Sequence, residues 1–106
     1  MKQPNMQNMM KQAQRMQTEM ARVQEELKGE RVEASVGGGA VKVTMTGELQ
    51  VESVAIDPSA VDTDDISMLE DMVAAAVNEA MRQAQELASR KMQAVTGGLG
   101  IPGGLF

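Results

Sequence analysis

Residues 32–56 read VEASVGGGAVKVTMTGELQVESVAI and contain three short runs in which apolar and polar residues alternate. Alternation with a period of two is typical of a β-strand that buries one face. Gly37–Gly39 joins the first two runs and Gly47 lies between the second and third, so short connections predict an antiparallel meander. The apolar phase slips by one within the third run, which indicates either a bulge near Glu52–Ser53 or cover on both faces.

The segment before the strands has the pattern of a long helix. Pro4 and Asn5 offer a helix start, Gly29 offers an end, and the apolar residues between them recur in steps of three and four. A helix over about 5–28 would be roughly 35 Å long at 1.5 Å per residue, so part of it is expected to project or to pair with a partner helix. The apolar residues form a heptad seam, which we call the Met seam: Met6, Met9, Ala13, Met16, Met20, Val23 and Leu27. Ordinary packing is the favoured interpretation of this seam, and an adaptable binding surface is the alternative.

A second helix is predicted over about 65–95, after Asp57-Pro58 ends a strand region that spans about 30–56. Ser67 to Glu70 has the spacing of a capping box. The first turns are apolar nearly all round, so we expect them in the sheet and dimer interface, with the second half leaving the body as an arm. The residues expected in the dimer interface are Leu69, Met72, Val73, Val77 and Met81. Residues 97–106 are too rich in glycine for regular structure and are expected to form a flexible tail.

Composition predicts a single domain over residues 1–96 that associates with a second copy. The chain has 106 residues and one aromatic residue, Phe106 at its C-terminus, so the core must consist of Met, Val, Leu, Ile and Ala. These side chains bury less area than aromatic ones, and pooling two cores in a dimer is the usual remedy. The sequence has no Cys and no apolar stretch of 18 residues, and we expect a soluble cytoplasmic protein without disulfides or membrane contact.

The residue types that carry most catalytic chemistry are missing. With no His or Cys, catalysis would rest on carboxylates, Lys or hydroxyls, and none of these is flanked by a pattern that forms a pocket, so we predict a protein that is not an enzyme. The acidic residues between Asp57 and Asp65 lack the Gly and distal Glu of a calcium loop, so no metal is predicted. Gly98–Gly103 matches GxGxxG but follows a helix instead of a strand, so no cofactor is predicted.

The net charge of −5 is unevenly distributed along the chain. Residues 1–28 hold five basic and three acidic residues, a net of +2, whereas residues 29–66 hold two and eight, a net of −6. Lys11, Arg15 and Arg22 fall together on the helix face opposite the Met seam. From the pattern alone a solvated polar face is favoured, and a surface for nucleic-acid phosphates is the alternative.

Several motifs resemble those of the YbaB/EbfC family. They are MKQAQ at residues 10–14, VKVT at 41–44, Gly47, IDP at 56–58 and LEDMVAAA at 69–76. The resemblance extends from the first helix to the glycine-rich tail. It implies an α+β fold with an α-β-β-β-α subunit and a tweezer-like homodimer. It also implies a bacterial, nucleoid-associated protein that binds double-stranded DNA with little or modest sequence preference through helical arms.

The resemblance adds Arg82, Arg90 and Lys91 of the second helix to Lys11, Arg15 and Arg22 as the expected DNA contacts. The alternative function is a protein-interaction adaptor, in which the Met seam binds a partner polypeptide in recombination or replication.

Overall fold

The computed structural model describes residues 6–98, which form two helices and three strands. In chain order these are α1 (Met6–Gly29), β1 (Arg31–Val36), β2 (Val41–Thr46), β3 (Val51–Ile56) and α2 (Ile66–Gly98). Short 3-10 turns occur at Gly37–Gly39 and Pro58–Ala60. The α-β-β-β-α order confirms the α+β subunit predicted from the sequence.

The strands form one antiparallel sheet in the order β1-β2-β3, as their short connections predict. β1 pairs with β2 from Val36 opposite Val41 to Arg31 opposite Thr46. The turn between them uses Gly37–Gly39, whose φ angles are 64°, 66° and 97°. Residues with a Cβ disfavour positive φ, so three consecutive glycines allow this turn without strain.

β3 contains a β-bulge at Glu52. Thr44 pairs with Ser53, but the next residue of β2, Met45, pairs with Val51, so Glu52 has no opposite residue. All six residues of β3 are exposed, so the described residues do not cover both of its faces. The bulge therefore explains the slip in apolar phase, and the apolar residues before and after it share one face of the sheet.

The main core lies between α2 and one face of β1 and β2. α2 contributes Ala76, Ala80 and Ala84, which are spaced four apart and have no exposed surface. Their small side chains allow the helix backbone to lie close to the strands. The buried residues that they pack against are Ala34, Ala40, Val41, Val43 and Met45.

The N-cap and the C-terminal end of α2 differ from the sequence prediction. The Asp65 carboxylate accepts hydrogen bonds from Met68 N at 3.3 Å and from Ser67 Oγ at 3.0 Å, so Asp65 is the N-cap. The capping-box prediction was wrong because Asp65, and not Ser67, is the N-cap. Ser67 lies within the first turn of the helix, and its hydroxyl donates to the Asp65 carboxylate. The helix also continues through Gly97 and Gly98, because glycine weakens a helix end without preventing it. The rest of the predicted flexible tail, residues 99–106, lies outside the described residues.

A smaller cluster joins the end of α1 to the second half of α2. Its buried residues are Val23 and Leu27 of α1 and Val95 of α2. Leu87, Ala88 and Met92 pack against them. The Met seam is therefore buried only at its C-terminal end, and the molecule is elongated, with principal extents of 77 × 25 × 16 Å.

Candidate nucleic-acid interface

Residues 6–18 of α1, which we call the tip, form an exposed basic helix segment. Lys11 and Arg15 lie one helical turn apart on the same face, and both are exposed. The tip contains no Asp or Glu, and neither cation forms an ion pair with any residue between 6 and 98. Unpaired cations on an exposed helix are suited to the phosphates of duplex DNA.

Exposed amide side chains flank these cations. They belong to Asn8, Gln12, Gln14 and Gln17. Neutral amides donate hydrogen bonds to phosphate oxygens and also reach base edges, so they add contacts without adding charge.

Residues 19–30 of α1 and the following turn, which we call the base, hold their cations differently. Arg22 donates Nε and Nη2 to Glu19 Oε2 at 3.0 and 2.7 Å, and it donates Nη1 to Glu26. The hydrogen bond to Glu19 is the main reason that the pKa of Arg22 is raised above its ordinary value. Arg22 thus lies on the same stripe as the tip cations, but two carboxylates balance its charge. The spacing of three and four residues is visible in the sequence and could have indicated this pairing.

Lys91 of α2 ties the base to the second helix. Its Nζ lies 3.1 Å from Glu26 Oε2 and 3.2 Å from Glu30 Oε1. The hydrogen bond between Lys91 and Glu26 raises the pKa of Lys91 and lowers the pKa of Glu26. The structure therefore places this predicted DNA contact in a link between α1 and α2.

The turn between β2 and β3 fits directly beneath the base. Gly47 N donates to Glu30 O at 3.1 Å. A Cβ at position 47 would lie 2.5 Å from Leu27 O and 2.9 Å from Leu27 Cδ2. The backbone of α1 can approach this closely only because position 47 has no side chain.

Arg82 repeats the pattern of Arg22 on α2. It donates Nη2 to Glu79 Oε1 at 2.7 Å and Nη1 to Glu86 Oε2 at 2.9 Å. The hydrogen bonds from Arg82 and then Gln83 lower the pKa of Glu79 from 4.5 to about 2, although the pair is exposed. Arg82 is therefore balanced by two carboxylates, like Arg22.

Arg90 is the predicted α2 contact that stays unpaired. It forms no ion pair with the described residues, and it lines an open groove of about 460 Å³ between the start of β1 and α2. The groove also brings Arg31 and Arg82 close to it, together with the acids Glu30 and Glu86. Sequence reasoning missed Arg31, because about fifty residues separate it from Arg82 and no local pattern joins them.

The residues expected in the dimer interface lie on the side of α2 that packs against the main core of the same subunit, or at the edge of that side. Leu69, Met72, Val73 and Val77 are half-buried against the main core, whereas Met81 is 36% exposed. A larger apolar surface lies on β3, where the exposed fractions are 46% for Val51, 43% for Val54 and 39% for Ile56. These three are paired with buried residues of β2 and share their face. Sequence reasoning missed this surface because it did not show that α2 packs mainly over β1 and β2.

The acidic residues between β3 and α2 serve local turns. Asp57 Oδ1 accepts from Ser59 N at 3.0 Å, and Asp62 Oδ1 accepts from Asp64 N at 2.9 Å. Over residues 6–98, no group of three His, Cys, Asp or Glu side chains is placed to hold a metal ion. None of the helices in that range is long and apolar enough to cross a membrane.

Comparison with known proteins decides the family. The model of the YbaB/EbfC DNA-binding family matches residues 1–99. The chain belongs to this family. Nucleoid-associated proteins are among its similar relatives: one from Acetivibrio thermocellus is 53% identical over 96% of this chain and 90% of its own length. One from Clostridium botulinum is 54% identical over 96% of this chain and 88% of its own length.

A solved structure shares the YbaB/EbfC fold of this chain. It is an uncharacterised protein from Helicobacter pylori, with a TM-score of 0.72 and 22% sequence identity over 87% of this chain and 95% of that one. The family resemblance drawn from the motifs is thus confirmed, as is the subunit fold. The relatives' names give no support to the adaptor alternative. The individual DNA contacts and the dimer interface stay predictions.

Proposed function

We propose that this YbaB/EbfC protein is a dimeric, nucleoid-associated protein whose tip holds duplex DNA with little or modest sequence preference. One observation carries the proposal: Lys11 and Arg15 have no carboxylate partner in the described residues, whereas Arg22, Arg82 and Lys91 each have two. A cation without a partner binds phosphate without first breaking an ion pair. The tip is therefore the principal contact surface and Arg90 a secondary one.

The surrounding charge concentrates binding at the tip. The subunit carries −5 overall, and residues 29–66 contribute a net of −6. Long-range attraction to DNA is therefore absent, and affinity depends on local contacts that release counterions from the duplex. Such contacts read the backbone rather than the bases, which is why little sequence preference is expected.

The test compares two double variants with the same change in charge on the same helix. Lys11→Gln with Arg15→Gln removes the unpaired cations, and Arg22→Gln with Lys28→Gln removes cations that have acidic partners. The first variant should weaken binding of a fluorescent duplex at least tenfold. Its slope of log affinity against log salt should be shallower by about 1.8 for each arm that contacts DNA.

The second variant should bind nearly as the parent does. Equal losses in the two variants would mean that net charge, rather than the tip, determines binding. Unchanged binding by the tip variant, with helix content retained in circular dichroism, would refute the proposed surface.

The dimer is proposed to cover the apolar face of β3 together with Leu69, Met72, Val73, Val77 and Met81. The support is that Val51, Val54 and Ile56 extend the core face of β2 but stay 39–46% exposed in the subunit. An apolar continuation of a core is typical of a surface shared with a second copy.

Two substitutions on the same strand test this interface. Val54→Asp places a charge on the exposed apolar face, and Ser53→Asp places it one residue away, on the opposite face. Light scattering during gel filtration should show a dimer for the parent and for Ser53→Asp, and dissociation for Val54→Asp. A dimer that survives Val54→Asp would exclude this face from the interface.

A further inference from the structure

The hydrogen bonds of Arg22 bear on how tightly the protein binds DNA, an inference that rests on the proposed function. Arg22 follows Arg15 by seven residues, which is close to two helical turns, so its guanidinium continues the stripe of Lys11 and Arg15. About half of its side chain is exposed, so a phosphate next to the tip can reach it. Position and exposure alone would make Arg22 a third phosphate contact.

Three of its N–H donors are already used. Glu19 accepts from Nε and Nη2, which are the two donors on one edge of the guanidinium, and Glu26 accepts from Nη1. The Nε and Nη2 edge forms the fork with which arginine binds a carboxylate or a phosphate. A phosphate that binds this fork would therefore have to replace Glu19 at the same two donors.

The two glutamates are not equivalent. Glu26 also accepts from Lys91, so it keeps a cation if Arg22 turns away. In the described residues, Glu19 has no ion pair except the one with Arg22. Displacing Glu19 leaves that carboxylate unpaired and close to the incoming phosphate, and both effects oppose DNA binding.

We propose that Glu19 withholds Arg22 from the DNA backbone and thereby limits the phosphate contacts of each arm to those of the tip. Glu19 is an affinity-setting residue that acts through Arg22. Replacing it with glutamine releases the fork of Arg22 and adds one phosphate contact for each arm that binds.

The chain offers a matched control at Glu25. Glu25→Gln removes the same charge from the same helix, but Glu25 pairs with Lys28 and does not contact Arg22. Any gain from reduced repulsion between the helix and DNA is shared by Glu19→Gln and Glu25→Gln. Release of Arg22 distinguishes them, because Lys28, which Glu25→Gln releases, lies off the stripe of Lys11, Arg15 and Arg22.

The experiment measures duplex affinity from about 50 to 200 mM salt for the parent and the two variants, with and without Arg22→Gln. Glu19→Gln should bind more tightly than Glu25→Gln at low salt. Its salt slope should be steeper by about 0.9 per arm, so its advantage should shrink by roughly three- to fourfold over that range for each arm that binds. With Arg22→Gln also present, Glu19→Gln and Glu25→Gln should bind equally well.

Equal affinity and slope for Glu19→Gln and Glu25→Gln would overturn the inference, and so would an advantage of Glu19→Gln that persists with Arg22→Gln. If the parent still loses binding through Lys11→Gln and Arg15→Gln, these results would leave the proposed function intact. No duplex binding by the parent, Glu19→Gln and Glu25→Gln alike would overturn both.

Discussion

The tip and the base belong to one helix and one heptad seam, yet they differ in almost every contact. In the tip, Met6 is 74% exposed and Met9 is 58% exposed, and the cations are unpaired. In the base, Val23 and Leu27 are buried, and Arg22 has two carboxylate partners. The seam pattern is the same in both, so the difference in burial comes from α2, which packs against Val23 and Leu27. The difference in charge pairing comes from Glu19 and Glu26 of α1 itself.

This difference shows how one helix can serve two purposes. In the base, Val23 and Leu27 pack against α2, and Glu26 and Glu30 form ion pairs with Lys91 of α2. These contacts fix the direction of α1 relative to the rest of the subunit. In the tip, the cations Lys11 and Arg15 form no ion pair with the described residues, and helix geometry positions them. Substitutions of the buried apolar residues in the base should therefore change stability, whereas substitutions of the tip cations should change binding.

The largest expected effect is on stability, and it appears when the Met seam is truncated in the base and compared with the same kind of truncation in the tip. Leu27→Ala should lower the free energy of unfolding by about 2–3 kcal/mol, because it removes a buried side chain and leaves a cavity. Met9→Ala should change it by less than about 0.5 kcal/mol, because its side chain is mostly in solvent already. Urea unfolding of both variants measures the contrast, and comparable losses would show that the tip is packed in solution.

A somewhat smaller effect is expected where the base meets the sheet. Gly47→Ala should destabilise the protein by about 1–3 kcal/mol, because its Cβ would overlap the Leu27 carbonyl oxygen and force α1 to shift. Gly29→Ala is the control, since a Cβ there meets nothing within 4 Å. Thermal unfolding should separate the two. A Gly47→Ala protein as stable as the parent would mean that the base does not rest on this turn.

The smallest effect concerns the link between Glu26 and Lys91. The pKa of Glu26 is lowered in the folded state, so its charge contributes stability above its ordinary value of 4.5 and loses that contribution as the pH falls through the lowered pKa. The parent should therefore melt slightly above Glu26→Gln near neutral pH, and the difference should vanish in acid. Glu25 pairs with Lys28 within α1, so the melting temperature of Glu25→Gln should differ less from that of the parent. If the difference in melting temperature between the parent and Glu26→Gln does not depend on pH, the ionisation of Glu26 is not what stabilises the link.

The order of the elements, the antiparallel meander, the family and the stripe of Lys11, Arg15 and Arg22 were all predictable from the amino-acid sequence. These follow from local patterns, since helix and strand periodicity act over a few residues. The bulge was anticipated as one of two interpretations for the same reason. Even the pairing of Arg22 with Glu19 and Glu26 is local, although it was not recognised from the sequence.

Which surfaces are exposed and which charges are unpaired depends on how distant segments pack together. Lys91 could not be assigned to a link from the sequence, because Glu26 and Glu30 are more than sixty residues away. The exposed apolar face of β3 depends on where α2 crosses the sheet, and the need for glycine at position 47 depends on how closely Leu27 approaches. Contacts between distant segments arise from packing in three dimensions, which no local periodicity specifies.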